Sequence, residues 1–508
     1  MVKLDRTNNA LKGTISGIVV QLFNMLMPFV IRTLFIHSFG IEYVGLNSLF
    51  VSILQVLNLA ELGVGSALVF SMYEPISCNN KKKICALMRL YKIYYRIIGF
   101  IVLSVGLLLI PFLPKLISGE IPNGINLYIV YLLNLIATVL SYWMFAYRNS
   151  LLVAYQKNYI INIITLITNF IKYILQLIVL LFLENYYLFL IAVIISQIFQ
   201  NIVTAIVALK KFPDLVSIGS VSKTERKKID SKVLNLFAAK ICGVVTNSAD
   251  SMVISAILGL TILGIYNNYY YILTSVMAMV AVLFNSLRAG IGNALITENP
   301  EKNISDFNKL TCIVSFIICV CFSCFLNLFQ PFITLWVGEE NLLSRFSVIL
   351  LCLYFMFYEY PIFWAMYKDA AGRWKEDRRR SIVAPIFNLF TNIVLVKYIG
   401  LNGVLISTIV TYAFISGPWL LIIIKKYVIN YDVKKYLLML SFYSGCVFIS
   451  AAASFGICEN IHVRGVLGLI MKLVISISIS VSIFFILFWR TTDFKHIYQF
   501  ILHHLKIK

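Results

Sequence analysis

Apolar runs long enough to cross a membrane recur from one end of this chain to the other. A helix needs about 20 mainly apolar residues to span the hydrocarbon core of a bilayer, and fourteen such runs can be marked along the 508 residues. Hydrophobic residues make up 60% of the chain and charged residues 13%, whereas soluble domains average roughly 45–50% and 25%. The sequence therefore predicts an all-α, polytopic membrane protein. The predicted spans are residues 14–36, 44–70, 92–114, 126–147, 159–183, 187–209, 233–257, 265–288, 310–336, 346–367, 381–397, 403–424, 436–456 and 466–489.

Lysine and arginine are concentrated in every second segment between these runs. Those segments and the two termini hold 34 of the 43 basic residues, the alternate segments hold four, and five lie inside runs. The positive-inside rule places the basic side in the cytoplasm, so both termini are expected there. The first run is too long for the apolar region of a cleaved signal peptide and is expected to remain as a span. The formal charge of +21 is thus explained by the basic segments on the cytoplasmic side of the membrane. Nucleic-acid binding is not expected.

A polar segment with seven basic residues, 210–232, separates the sixth and seventh runs. It is interpreted as a cytoplasmic linker between a six-helix lobe at 1–209 and a second six-helix lobe at 233–424. Residues 425–508 then hold two further spans and a tail. Apolar residues recur in the tail at three- and four-residue spacing, which predicts an amphipathic helix on the inner leaflet. These residues are Phe494, Ile497, Ile501 and Leu505.

Glycine residues recur at the same spacing in the two halves of the chain. Gly40 and Gly45 flank the predicted outer loop after the first run, and the same pair recurs 219 residues later. A GxGxAL pattern then follows in each half, at 63–68 and 290–295. The order and topology of both features predict a duplication. The halves would be parallel repeats about an axis along the membrane normal, with a substrate site between them.

Polar side chains follow one face of the first and of the seventh run at helical spacing. Polar groups are costly in lipid, so such stripes usually face a bundle interior or a watery cavity. The two runs are therefore predicted to face each other across a central cavity, with Pro28 as a bend or gate. The alternative is packing between helices, which is favoured for Asn24 and Gly243. The stripes are Gly17, Gln21, Asn24, Pro28 and Arg32, and Lys240, Gly243, Asn247, Asp250 and Ser251.

Three basic residues at membrane depth, Arg32, Lys172 and Lys240, are candidates for binding an anionic substrate. Ammonium and guanidinium groups make charge-assisted hydrogen bonds to phosphate. Two alternatives remain open: Arg32 reaches the interface instead, and Lys240 pairs with Asp250. The polar candidates for lining the same cavity are Gln21, Asn24 and Asn247.

Three acidic residues at membrane depth are candidates for coupling transport to a proton or ion gradient. Asp250 is the first choice, and Glu61 and Glu359 are the others. Pro361 lies two residues after Glu359 and is expected to break the tenth span near its middle.

Catalytic and metal chemistry find little support in the residues. All five histidines lie in predicted loops or in the tail, so no acid–base pair forms at depth. Most of the ten cysteines lie inside apolar runs and are treated as small hydrophobic residues; Cys321 and Cys324 form a CxxC without a second ligand pair. The chain has no GxxxxGK[ST] phosphate-binding loop. No catalytic residue, metal or cofactor is therefore expected, and transport is not expected to use ATP.

Three stretches near the N-terminus carry a family resemblance. They are RTLFIHSFGIEYVG at 32–45, LNSLFVSIL at 46–54 and LAELGVGSALVFSMYEP at 59–75. This segment resembles the opening of Wzx-type polysaccharide repeat-unit flippases, which belong to the multidrug/oligosaccharidyl-lipid/polysaccharide exporter superfamily. The predicted topology is similar along essentially the full chain.

The resemblance implies a V-shaped transporter of two six-helix lobes related by a pseudo-two-fold axis, plus two C-terminal helices. It implies movement of undecaprenyl-diphosphate-linked oligosaccharide across the bacterial cytoplasmic membrane, for capsule, exopolysaccharide or O-antigen synthesis. Basic cavity residues would hold the diphosphate while the isoprenoid tail stays in lipid. Expected partners are this lipid-linked substrate, membrane lipids, and the polymerase and chain-length regulator of the same pathway.

Two other functions are alternatives to a flippase. Cation-coupled multidrug antiporters share the fold, but cationic substrates favour acidic cavities, and the deep charges here are five basic and three acidic. A membrane polysaccharide polymerase would show a large outer loop, and an acyltransferase would need a buried histidine. The predicted outer loops are short, so an enzyme is not expected.

Overall fold

The computed structural model of the protein describes residues 6–491 and 494, except 62, 120, 123, 462 and 464. Within this range the side chains at 6–11, 14, 60, 234–243, 245–247 and 289 lie outside the description. All regular elements in the described part are helical, which confirms the all-α class. Of the predicted amphipathic tail, only Phe494 is described.

Eighteen α-helices run through the described residues, and short 3-10 or π-helical segments extend several of them. They are α1 Arg6–Phe39, α2 Ile41–Leu57, α3 Val64–Ser77, α4 Lys81–Leu109, α5 Leu127–Trp143, α6 Asn149–Ala154, α7 Asn158–Ile178, α8 Tyr186–Lys211, α9 Lys223–Leu258, α10 Leu260–Thr297, α11 Pro300–Val337, α12 Arg345–Ala370, α13 Trp374–Asp377, α14 Arg380–Ile399, α15 Leu401–Val410, α16 Gly417–Tyr427, α17 Val433–Glu459 and α18 Gly465–Phe488.

Eleven helical segments in the described part are long and apolar enough to cross a membrane. A twelfth is added when α5 and the helical segment Ala146–Ala154, which meet at a bend of 44°, are counted as one span. The other two predicted spans correspond to shorter apolar helices, Ile41–Leu57 and Ser248–Leu258. A polytopic membrane protein is therefore confirmed, whereas the predicted number of fourteen spans is not.

The second predicted span, residues 44–70, is interrupted. Helix α2 ends at Leu57, a 3-10 turn covers Asn58–Glu61, and α3 begins at Val64. Gly63 precedes α3 with a φ of 96°, in the left-handed region that a glycine adopts without a steric cost. The prediction of one continuous helix was therefore wrong here. Side chains on α4 and α5 form hydrogen bonds with Glu61 and Asn58, and these bonds stabilise the break.

Two prolines with predicted roles lie inside continuous helices. Helix α12 passes through Pro361 without ending, so the expected break of the tenth span is wrong. A proline removes one backbone donor, and packed neighbours make this tolerable in membrane helices. Helix α1 likewise runs through Pro28, and the gating role of that residue stays a prediction.

The chain divides into two compact units, Met1–Gly264 and Ile265–Lys508. In the first unit α1 packs on α7, α5 on α4 and α8, and α9 on α2 and α3. In the second unit α11 contacts α12, α17 and α18, while α15 packs on α12 and α14. The division falls inside α10, and the predicted lobe boundaries remain predictions.

The glycine repeat is visible in the backbone. Gly40 alone links α1 to α2, with a φ of 94°, and Gly259 alone links α9 to α10, with a φ of 92°. Both links follow a long helix and precede another without an intervening loop. Equivalent backbone conformations at equivalent positions support the predicted duplication.

The predicted linker is held against α4. Lys81 Nζ lies 2.7 Å from Asp214 Oδ2, and Arg89 Nη1 donates to the carbonyl oxygen of Gly219 at 2.9 Å. The connection between α8 and α9 is therefore fixed to the first unit by contacts of both side chain and backbone.

Candidate functional site

A carboxylate lies at the break between α2 and α3. Glu61 accepts a hydrogen bond from the hydroxyl of Tyr95 on α4, and that hydroxyl accepts one from Tyr91 at 3.0 Å. The hydroxyl of Tyr142 on α5 donates to Asn58 Oδ1 at 2.8 Å. Tyrosines from two helices thus satisfy the polar side chains of the break. Sequence reasoning selected Glu61 but missed the tyrosines. The four-residue spacing of Tyr91 and Tyr95 on α4 was the available signal for those two.

A glycine of the GxGxAL pattern leaves room for this tyrosine pair. A Cβ atom on Gly65 would lie 3.0 Å from the hydroxyl oxygen of Tyr91 and 3.3 Å from that of Tyr95. Both distances are shorter than ordinary van der Waals contact. The pattern that indicated a repeat therefore also shapes the surroundings of Glu61.

Amides connect α1 to α7. Asn169 Nδ2 donates to Asn24 Oδ1 at 2.8 Å, and Asn162 Nδ2 donates to the hydroxyl of Ser16 at 3.0 Å. A Cβ atom on Gly17 would lie 3.5 Å from Asn162 Nδ2. These contacts agree with the packing alternative for Asn24.

The basic candidates on these two helices are half-buried. Lys172 lies one turn beyond Asn169 on α7, and its Nζ is 4.3 Å from the centroid of the Tyr173 ring. Arg32 lies on α1, which packs on α7, whereas Gln21 is exposed. The fold therefore places Lys172 about one turn along α7 from Asn169, the residue that contacts Asn24 on α1.

The seventh predicted span presents a buried polar face. Asp250 on α9 is buried, and so is Ser248, whose hydroxyl donates to Gln55 Oε1 on α2 at 3.3 Å. Ser255 donates to the carbonyl oxygen of Leu116 at 2.7 Å. The side chains of Lys240 and Asn247 lie outside the described residues. The predicted facing of the first and seventh spans across a cavity thus stays a prediction.

Glu359 is the acidic candidate of the second unit. Its side chain on α12 is only 1% exposed, and its Oε1 has no hydrogen-bond partner within the described part of the chain. Burying an ionised carboxylate without a partner is costly. Binding of a proton or a small cation would compensate the charge on this carboxylate oxygen.

A buried cluster of charges joins the end of α12 to the start of α14. Lys368 Nζ lies 2.8 Å from both Asp369 Oδ1 and Asp377 Oδ2, and Arg380 Nη2 donates to Asp377 Oδ2 at 2.8 Å. Lys368 and Asp377 are 6% and 4% exposed. Sequence reasoning used these lysine and arginine residues only to assign the membrane orientation of the chain, and it missed the cluster. Acidic residues inside a basic loop were the available signal.

The family described as "polysaccharide biosynthesis protein" matches residues 10–287. This match covers more than half of the chain, from the first turns of α1 through most of α10. No curated relative matches the chain at the sequence level.

Solved structures share the fold at low sequence identity. An inward-facing multidrug resistance MATE family transporter of the MOP superfamily has a TM-score of 0.64 at 14% identity, over 80% of this chain and 98% of that one. The lipid II flippase MurJ, in an inward closed conformation, has a TM-score of 0.63 at 16% identity, over 92% and 98%. A MOP superfamily transporter from Pyrococcus furiosus has a TM-score of 0.51 at 15% identity, over 83% and 96%. The chain therefore has the fold of these transporters.

Proposed function

The chain belongs to the polysaccharide biosynthesis protein family, and on this basis we propose that it is a flippase for a lipid-linked anionic oligosaccharide. The cargo is undecaprenyl-diphosphate-linked and moves from the cytoplasmic to the outer leaflet of the bacterial cytoplasmic membrane, as in the Wzx-type proteins. Both termini are cytoplasmic. The delivered repeat unit is then a substrate for the polymerase and chain-length regulator of the pathway. The family match carries this proposal, and the likeness to a lipid II flippase fold supports it.

Lys172 is the basic residue best placed to hold the diphosphate. It is half-buried in a membrane-spanning helix and forms no ion pair with a described residue. An ammonium group at membrane depth is costly unless an anion or water compensates it. A diphosphate supplies that compensation through charge-assisted hydrogen bonds, and Arg32 and Lys240 are proposed to add to it.

Coupling is proposed to involve the deep carboxylates Glu61, Asp250 and Glu359. The three differ in their surroundings. Glu61 is bound by a tyrosine, and Asp250 is buried on α9, a helix that packs on α2 and α3. Glu359 keeps one oxygen without a partner among the described residues. Glu359 is thus best suited to bind and release a proton or cation.

The test is transport by the full-length protein in liposomes that contain a fluorescent undecaprenyl-diphosphate oligosaccharide. Leaflet exposure is followed for the wild type, Lys172→Ala and the matched control Lys472→Ala, which removes a half-buried lysine from α18. We expect transport in the wild type and control, and at least tenfold slower transport in Lys172→Ala. Equal rates in all three would remove Lys172 from the site. Absence of transport in the wild type under an imposed ion gradient, together with export of a cationic dye, would favour a multidrug antiporter.

A further inference from the structure

A cavity lies where α3 ends and where α4 and α9 begin. Its volume is about 620 Å³, and Phe70, Tyr73, Lys83, Lys228 and Lys232 are among its lining residues. These helix ends border the basic segments that the positive-inside rule assigns to the cytoplasm. The volume lies within the range of about 300–1,000 Å³ that is typical of small-molecule sites.

The cavity carries uncompensated positive charge. Lys83 Nζ lies 2.8 Å from Glu225 Oε1, so these two lining charges neutralise each other. Lys228 and Lys232 form no ion pair with a described residue, and Glu74 is the other acidic group in the lining. Like charges four residues apart destabilise a helix. An anion between Lys228 and Lys232 would relieve that repulsion.

The rim of the cavity is aromatic. Phe70 is 60% exposed and Tyr73 is 45% exposed, and Lys232 Nζ lies 4.6 Å from the centroid of the Phe70 ring. The hydroxyl of Tyr73 makes no hydrogen bond with a described residue and is available as a donor. Exposed rings beside lysines are typical of the boundary between acyl chains and headgroups. The ligand that fits has an anionic head and an apolar chain.

We propose that this cavity binds the phosphate headgroup of a membrane lipid. Lys228 and Lys232 hold the phosphate, the hydroxyl of Tyr73 donates to it, and the apolar chain leaves past Phe70. A bulk anionic phospholipid and a phosphorylated isoprenoid share this chemistry. Binding at this site requires no transport step, so it can be tested independently of the proposed flippase activity.

The experiment measures equilibrium binding to the full-length protein in detergent with three probes: undecaprenyl phosphate, phosphatidylglycerol, and undecaprenol, which lacks the phosphate. The test variant is Lys228→Gln/Lys232→Gln. The matched control is Lys434→Gln/Lys435→Gln, which removes two exposed lysines at the start of α17. Each lysine near anionic lipid contributes to the free energy of binding, so the double variant should bind about 10- to 30-fold more weakly. The control and Lys228→Arg/Lys232→Arg should bind as tightly as the wild type.

Weaker binding of both phosphate lipids would identify a general site for anionic lipid. Weaker binding of undecaprenyl phosphate alone would identify a site for the isoprenoid substrate, and of phosphatidylglycerol alone a site for bulk lipid. Unchanged affinity of the double variant for both lipids, or equal binding of undecaprenol, would overturn the proposal. Tyr73→Phe provides a second test if the double variant does not fold: it should weaken phosphate-lipid binding several-fold and leave undecaprenol unaffected.

Discussion

Gly45 and Gly264 lie at equivalent places in one close helix crossing, each against a carbonyl group at the start of the other's helix. A Cβ atom on Gly45 would lie 2.0 Å from the carbonyl oxygen of Leu260, and one on Gly264 would lie 2.3 Å from that of Ile41. An offset of 219 residues relates Gly45 to Gly264 and Ile41 to Leu260, so the two contacts are equivalent to each other under that offset. The crossing of α2 with the first turn of α10 is therefore what the predicted glycine repeat would produce.

Gly45→Ala is expected to destabilise the protein. The added methyl group meets backbone that cannot rotate away, and overpacking of this kind costs about 1–3 kcal/mol. The control is Gly445→Ala on α17, where a Cβ atom would meet nothing within 4 Å and the helix propensity of alanine should be neutral to favourable. The free energy of unfolding in detergent is the measurement. Equal stability of Gly45→Ala and the wild type would contradict the close crossing.

Asp377→Asn is expected to be more destabilising. The substitution leaves the buried Lys368 and the half-buried Arg380 beside a neutral amide, and loss of one partner from a buried ion pair costs about 3–5 kcal/mol. Glu459→Gln is the control, because its pair with Arg345, at 3.2 Å, is exposed on both sides and such pairs contribute about 0–1 kcal/mol. Denaturant unfolding of both variants compares them directly. Similar losses in the two would show that burial does not strengthen the cluster.

Tyr95→Phe removes the donor to Glu61 and the acceptor for Tyr91. A hydrogen bond to a charged group is worth about 1.5–3 kcal/mol, and a neutral one about 0.5–1.5 kcal/mol. The control, Tyr131→Phe, removes a neutral bond at 3.0 Å to the carbonyl oxygen of Gly106. We expect the larger fall in thermal stability for Tyr95→Phe. A larger fall for Tyr131→Phe would argue that Glu61 is neutral at the helix break.

Glu359→Gln keeps the size of the side chain and removes its ability to bind and release a proton. If Glu359 couples transport, liposomes with this variant should move the fluorescent oligosaccharide at a rate that no longer depends on an imposed proton gradient. Glu298→Gln, at an exposed pair with Lys302, should retain the wild-type dependence. A variant at Glu359 that still responds fully to the gradient would assign coupling to another residue.

Much of the candidate site could be listed from the sequence, but its contacts could not. Glu61 and Glu359 were selected in the same way, as acids inside apolar runs. One is bound by a tyrosine 34 residues further along the chain, and the other keeps an oxygen without a described partner. No local pattern distinguishes these situations, because the partner of a side chain depends on which helices pack together.

The sequence by itself determined the all-helical class and the approximate positions of the helices. Apolar composition sets which segments enter lipid, and a backbone in lipid must satisfy its own hydrogen bonds, so the helix is dictated locally. Only the tertiary structure decided where a helix is interrupted and where it tolerates a proline. The second span breaks at Gly63 because α4 and α5 supply partners for its polar groups, and α12 continues through Pro361 within a packed bundle. Lys228 and Lys232 likewise form a cavity with Phe70 because two segments about 160 residues apart meet at the ends of their helices.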